Sequence, residues 1–204
     1  MSHYAMNYET LQRLIRAISM SKDPEEVALM TVEGITSALG VKGCVLFLLN
    51  DKTHELEIAA AYGLSKEYLE KGPVDALRSI AQSPEDGPVA IYDVGDDPRI
   101  QYPEAAAKEG IVSILAVPVV IQGKLIGTLR VYTADHWEFT LNDINLVQAL
   151  AQIAGMSIDM CRLLKGYKHS IEILKEMRDP KTIKSGKWTP YEGVPVSVVP
   201  RPTP

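Results

Sequence analysis

The chain has 204 residues, 46% hydrophobic and 23% charged, with a formal net charge of −5; that is material for one globular domain with appendages and a sizeable core. The acidic balance and the lack of a long basic run argue against nucleic-acid binding as the main task, since phosphate contacts need clustered Lys and Arg. There is no signal-peptide pattern and no run of about eighteen apolar residues, and Cys44 and Cys161 are the only cysteines, so the expectation is a cytoplasmic protein without membrane spans or disulfides.

Leu11, Leu14, Ile15 and Ile18 recur at helical spacing, predicting a first helix over Tyr8 to Met20. Asp23-Pro24-Glu25-Glu26 reads as an N-cap, a proline in the first turn and two acidic groups at the positive helix end, and Gly40 stops the helix they open. Cys44 to Leu49 is an unbroken apolar run, a strand covered on both faces. Asn50 to Thr53 turns the chain into a second strand, in which Leu56, Ile58, Ala60 and Tyr62 alternate with Glu57, Ala59 and Ala61. From Gly63 the pattern weakens. Short helices are predicted near Ser65 to Glu70, Asp75 to Gln82 and Tyr102 to Lys108, with a brief strand over Pro88 to Tyr92 and a turn-rich loop over Asp93 to Arg99.

The stretch GIVSILAVPVVIQGKLIGTLRVYT, Gly110 to Thr133, is a long β-hairpin turning at Gln122-Gly123-Lys124. On its second strand Leu125, Gly127, Leu129 and Val131 share one face, and Ile126, Thr128, Arg130 and Tyr132 the other. Pro118 cannot donate a ladder bond and implies a bulge or an unpaired position. Thr140 caps a last helix with Asp143 in its first turn. Leu146, Leu150, Ile153, Met160, Leu164, Tyr167, Ile171 and Leu174 follow a 4-3 rhythm broken only by Ser157, beside a second stripe of Val147, Ala151, Ala154, Ile158 and Cys161. A helix continuous to Met177 would be about 55 Å long, with Gly155 and Gly166 as its weak points. Six prolines stand from Pro180 to Pro204 without periodicity, an extended tail.

The order helix, helix, strand hairpin, irregular insertion, strand hairpin, long helix resembles the GAF domain, the small-molecule sensory module of bacterial signalling proteins and cyclic-nucleotide phosphodiesterases. Asp93-Val94, Asp97-Pro98-Arg99, Gly110-Ile111-Val112-Ser113, Val117-Pro118-Val119, Gly123, Ile126-Gly127-Thr128-Leu129, Tyr132, Phe139-Thr140, Asp143 and the Ala151 to Ile158 segment carry the match. The resemblance implies an α+β fold, GAF-like (profilin/PAS-like): a central antiparallel sheet of five to six strands, helices from both termini on one face, and the irregular insertion, Gly63 to Gly110, over a ligand pocket on the other. The domain is taken as residues 1–165, a helical extension as 166–178 and the tail as 179–204.

Resemblance and strand alternation together point Arg130, Thr128 and Tyr132 toward the pocket, with Ser113, Tyr92, Asp93 and Arg99 at its rim. Arg130 needs a partner, either an anionic ligand or a structural carboxylate such as Asp93. The Asp93 to Arg99 segment is also a good turn sequence without any function, and it lacks the spacing of a calcium loop. The family's cyclic-nucleotide signature is absent. Neither cysteine precedes a histidine as in bilin attachment, the pocket loops hold no cysteine as in GAF-type methionine sulfoxide reductases, and no metal or cofactor is implied. The favoured function is a non-enzymatic regulatory sensor for an unidentified ligand, anionic if it is the partner of Arg130, without its own output domain, working through a homodimer of the N- and C-terminal helices. The alternatives are a ligand-free dimerisation or protein-interaction module with a self-filled pocket, and a redox enzyme using Cys44. Trp188, Tyr191 and the proline-rich end are candidates for docking a protein partner.

Overall fold

The computed structural model describes residues 8–50, 52–72, 74–75 and 87–178. In chain order its elements are α1 (Tyr8–Met20), α2 (Pro24–Leu39), β1 (Gly43–Leu49), β2 (Glu55–Tyr62), α3 (Lys66–Leu69), β3 (Val74–Asp75), β4 (Val89–Ile91), α4 (Pro103–Glu109), β5 (Ser113–Ile121), β6 (Lys124–Thr133) and α5 (Leu141–Arg178). The strands form one antiparallel sheet in the order β3-β2-β1-β6-β5-β4. The chain divides into two compact units, Met1–Cys161 and Arg162–Pro204; the sheet lies in the first, and the described part of the second is helical. The expected helix near Asp75 to Gln82 falls almost wholly outside the described residues, as does the tail beyond Arg178.

Local chemistry sets the element ends. The Asp23 carboxylate accepts the Glu25 N–H at 3.3 Å, Pro24 opens α2, and Gly40 closes it at φ +61°. Gln122 and Gly123 both take positive φ, 51° and 78°, which gives the hairpin its two-residue turn. Thr140 Oγ1 accepts the Asp143 N–H at 3.2 Å while Asp143 Oδ2 takes the Thr140 N–H at 2.9 Å, a reciprocal cap on α5.

Side-chain alternation divides the core between the two faces of the sheet. Leu46, Leu115, Val117, Leu129 and Val131 pack under α1, α2 and the first turns of α5, with Ile18, Val32, Ile35, Leu150 and Ile158 against them. Each such fully buried aliphatic side chain contributes on the order of 1.5–3 kcal/mol of hydrophobic stabilisation. The other face carries Val45, Phe47, Ile91, Ile114, Ala116 and Tyr132, covered by Tyr68, Val94 and Ala106 from the insertion and by Ile111 just after it.

Two bulges change the phase read from the alternation. Leu46 pairs with Ala60 but Phe47 pairs with Ile58, so Ala59 is the extra residue of β2 and packs with Ala60 against the helical layer, while Ala61, which simple alternation would put on the same face as Ala59, stays opposite Val45 on the insertion face. Val119 pairs with Gly127 but Val120 with Leu125, so Ile126 is the extra residue of β6 and also joins the helical layer rather than the face of Arg130. The irregularity therefore lies next to Pro118, which stands on β5 beyond the last pair with β4, Val89 with Ala116. There the Gln152 amide of α5 closes the open edge, receiving the Val120 N–H at 3.4 Å and donating to the Val120 carbonyl.

Two glycines admit close neighbours. A Cβ on Gly127 would lie 2.1 Å from the Phe47 carbonyl oxygen, so the close approach is to the neighbouring strand and not to a helix. The glycine that admits a helix to the sheet is Gly155, where a Cβ would lie 2.3 Å from Val119 Cγ1. Neither Gly155 nor Gly166 interrupts α5.

Candidate functional site

Strand β6 sets the site by its pairing. Tyr132 lies between Gly43 and Ile114, Arg130 between Val45 and Ala116, and Thr128 between Phe47 and Pro118, all on the face covered by the insertion. The small neighbours Val45 and Ala116 leave the Arg130 side chain room to lie along the sheet. Its guanidinium carbon stands 5.0 Å from the centre of the Phe47 ring, a cation–π contact. Arg130 is 9% exposed and Tyr132 1%. Burial pushes the Tyr132 phenol up in pKa, against the charge and hydrogen bonding of Arg130, which pull it down.

The insertion brings a second cation to this face. The Ser65 hydroxyl accepts the Tyr68 N–H at 3.1 Å and opens the single turn of α3. That turn lays the Tyr68 ring edge-on to Tyr132, centroids 5.9 Å apart. Three residues on, Lys71 folds back: its Nζ donates to the Tyr68 carbonyl at 3.1 Å and stands 3.7 Å over the Tyr68 ring. Gly72 follows at φ +136°, tight against Tyr102 at the start of α4; a Cβ there would lie 2.7 Å from the phenol oxygen. Burial and then the charge of Arg130 push the half-buried Lys71 ammonium down to about 8, with Glu109 opposing them.

Glu109 ties the two ends of the insertion together. Its carboxylate accepts the Ser65 N–H at 2.9 Å and the Ser65 hydroxyl, joining residues 44 apart in sequence. Burial raises the Glu109 pKa, but the two Ser65 hydrogen bonds and the charges of Lys42 and Lys71 hold it below the ordinary carboxylate value. An exposed ion pair, Lys108 to Glu67 at 2.6 Å, joins the same two helices; it adds little on its own.

The residues expected around the pocket thus fall into separate groups. Arg130 and Tyr132 meet Tyr68 and Lys71 on the insertion face. Thr128 lies on that face too, but its hydroxyl donates to the Val117 carbonyl at 3.2 Å. Ser113 is fully buried and alternates away from Ile114; its hydroxyl donates to the Tyr92 carbonyl at 2.6 Å and accepts the Trp137 N–H at 3.0 Å, so it pins two loops instead of lining a rim. Tyr92 is 53% exposed and its ring stacks on His136 at 4.8 Å. Asp93 accepts the Gly95 N–H at 2.8 Å and stands 3.9 Å from His136 Nε2, so it is not the partner of Arg130. Arg99 is engaged within its own loop by Asp97 at 2.6 Å, and those hydrogen bonds hold the Asp97 carboxyl below its usual range.

Tyr68, Lys71 and Glu109 carried no recognisable motif, because only the contact of α3 with β6 and α4 unites them. Cys44 lies on the helical face, fully buried, and burial drives its thiol far above the ordinary range. Cys161 is buried on that face as well. Among the described residues no group of His, Cys, Asp and Glu could hold a metal ion.

A family model described as the GAF domain matches residues 23–158. Among solved structures, the chain is similar to the GAF domain of an Acinetobacter phosphoenolpyruvate-protein phosphotransferase, with 18% identity, 80% of this chain and 99% of that one covered, and a TM-score of 0.66. It is similar to a domain of a Sinorhizobium meliloti protein described as a two-component sensor histidine kinase, with 26% identity, coverage of 71% and 96%, and a TM-score of 0.59. Free methionine-R-sulfoxide reductase from Neisseria meningitidis, solved with its substrate, matches with 19% identity, coverage of 80% and 98%, and a TM-score of 0.65. No curated protein sequence matches the chain.

Proposed function

Because the chain belongs to the GAF domain family, a family of regulatory sensor modules, we propose that it senses a small anionic ligand on the insertion face beside Arg130 and relays the bound state through a helix-mediated homodimer. The observation that carries this reading is the polar and aromatic cluster between sheet and insertion, where Arg130 and Tyr132 of β6 meet Tyr68 and Lys71. The strand that holds Arg130 faces both ways: Leu129 and Val131 are buried under α1, α2 and α5. Motion of β6 on ligand binding is therefore felt by the helices.

Helix α5 supplies the dimer surface. Met160, Leu164, Tyr167, Ile171 and Leu174 continue the 4-3 rhythm and are all about half exposed or more. That spacing suits a seam with a second copy. The helix is also long and apolar enough to cross a membrane by length and composition. We assign the chain to the cytoplasm, because the first half of α5 spends its apolar residues on the sheet.

The reading is non-enzymatic. The redox alternative loses its nucleophile, since Cys44 is buried on the face away from the insertion and its thiolate is strongly disfavoured. The ligand-free alternative draws support from Phe47, Tyr68 and Tyr132, which already fill much of the interlayer. A thermal-shift screen against metabolites and nucleotides separates the two, because a ligand of the native state raises the midpoint. The sensor reading expects at least one stabilising anion whose effect is lost in Arg130→Gln while far-UV circular dichroism is unchanged. A screen without any stabilising compound, or an effect retained in Arg130→Gln, refutes it.

A further inference from the structure

We propose that residues 63–72 form a hinged strap that plugs the insertion face with the Tyr68 ring, and that the strap leaves this face, with the sheet still folded, when the bond between Glu109 and Ser65 breaks. A glycine at positive φ stands at each end, Gly63 at +79° and Gly72 at +136°. At Gly63 the backbone is also enclosed, since a Cβ there would run into the Lys42 carbonyl oxygen. Glycine takes up and leaves such angles without steric cost, as the ends of a moving segment require. Between the two glycines the backbone bonds are internal. The Leu69 N–H donates to the Ser65 carbonyl at 3.1 Å, the Glu70 N–H to Lys66 at 3.0 Å and the Lys71 N–H to Tyr68 at 3.4 Å.

The strap meets the sheet through side chains and α4 through polar bonds. Tyr68, 6% exposed, lies edge-on to Tyr132, with Leu64 and Leu69 packed into the same cluster. Glu109 of α4 receives the Ser65 N–H at 2.9 Å and the Ser65 hydroxyl, and Lys108 of α4 pairs with Glu67. Losing the Glu109 clasp therefore loosens the strap without touching a strand ladder. Acid should do this. Burial raises the Glu109 pKa, but Ser65, Lys42 and Lys71 together hold it below the ordinary carboxylate value while the strap is closed. Opening withdraws the Ser65 bonds, so the open form takes up a proton more readily. The closed form is complete above the ordinary carboxylate range and is lost as pH falls through the closed-state value. Across that range Lys71, pushed down only to about 8, stays charged, and the Tyr68 phenol, raised by burial, stays protonated. With the strap closed, the insertion face is filled by its own side chain; with it open, Tyr132 is uncovered.

The strap needs no ligand to move, so native-state amide exchange of the full chain, read by NMR at low urea concentrations, tests it apart from the sensor reading. The Ser65 amide reports the clasp directly. The Leu69 and Glu70 amides report the turn, because a single helical turn taken off its support does not persist. All three should exchange through one opening that depends little on urea, whereas Val131 of β6 exchanges with global unfolding and its full urea dependence. Their protection, corrected for intrinsic exchange, should fall between about pH 6 and 3. Glu109→Gln should lower it roughly tenfold at neutral pH, as for one lost charge-assisted hydrogen bond, and should abolish the acid dependence. Glu67→Gln, which removes only the exposed pair with Lys108, should keep that dependence. Exchange of the three amides with the urea dependence of Val131 overturns the strap, and so do unequal openings at Ser65 and Glu70, which would mean fraying of α3. An acid dependence retained in Glu109→Gln overturns the clasp. The wild-type exchange decides the first point even if the Glu109→Gln protein does not fold.

Discussion

Replacing Gly127 by alanine tests the packing of the central strand pair with a clear sign. On backbone propensity alone the change should stabilise, because glycine in a strand interior costs about 0.5–1 kcal/mol relative to alanine. Gly127 does not have a positive φ, so alanine meets no conformational penalty there. The structure predicts the opposite outcome. The new Cβ would lie 2.1 Å from the Phe47 carbonyl oxygen and 3.1 Å from Leu48 Cα, both backbone atoms of β1 that no rotamer change can move. Relief requires β1 and β6 to part at the Leu48–Gly127 pair, the end of their ladder. Overpacking of this kind costs about 1–3 kcal/mol, and a weakened ladder bond adds about 1 kcal/mol. The net destabilisation is about 1–3 kcal/mol after the backbone gain is subtracted, equivalent to a fall in Tm of roughly 2–4 °C per kcal/mol for a chain of this size. Urea unfolding followed by circular dichroism measures it, with Gly166→Ala as the control, since a Cβ at Gly166 has nothing within 4 Å. A Gly127→Ala protein as stable as the parent would show that β1 and β6 are not in this register.

Three other outcomes follow. Ser65→Ala removes the cap of α3 and the hydroxyl hydrogen bond to Glu109 while keeping the backbone one, and should cost about 1–2 kcal/mol in urea unfolding. Its pH dependence carries a sign: Glu109 titrates below its unfolded value, so its contribution is complete above the ordinary carboxylate range and is lost as pH falls through the folded pKa; this acid-limb loss should be smaller in Ser65→Ala, and an unchanged profile would remove the clasp. Leu164→Glu with Ile171→Glu places two charges on the exposed stripe of α5 and should convert a dimer to a monomer in sedimentation without lowering Tm, whereas a wild-type protein already monomeric at high concentration would dismiss the helical dimer. Both thiols should react with a water-soluble disulfide reagent only on unfolding, and fast labelling of the native Cys44 would contradict its place under the helices.

Much of this fold is legible because its signals are local. Asp23-Pro24 and Gly40 bound α2, Gln122-Gly123 turns the hairpin, and Thr140 with Asp143 opens α5. The apolar alternation of β6 separates Leu129 and Val131 from Arg130 and Tyr132, and the sheet obeys that division. The candidate site was only half legible. Arg130 and Tyr132 stand out as polar groups in an apolar strand, but Asp93 and Arg99 find partners within their own loop, and Ser113 spends its hydroxyl on the Tyr92 carbonyl and the Trp137 N–H.

The sequence by itself determined the element order, the caps and turns, and the polar identity of the residues on β6, since each depends on neighbours a few positions away. Only the tertiary structure decided where the phase of a strand slips, which glycine admits which backbone, and which charges share a space. A bulge at Ala59 or Ile126 adds one residue without any marker in composition, yet turns a side chain to the other face. Lys71 joins Arg130 because a capped turn of α3 is clasped by Glu109 from 44 residues away, and a partnership across that separation leaves no period to read.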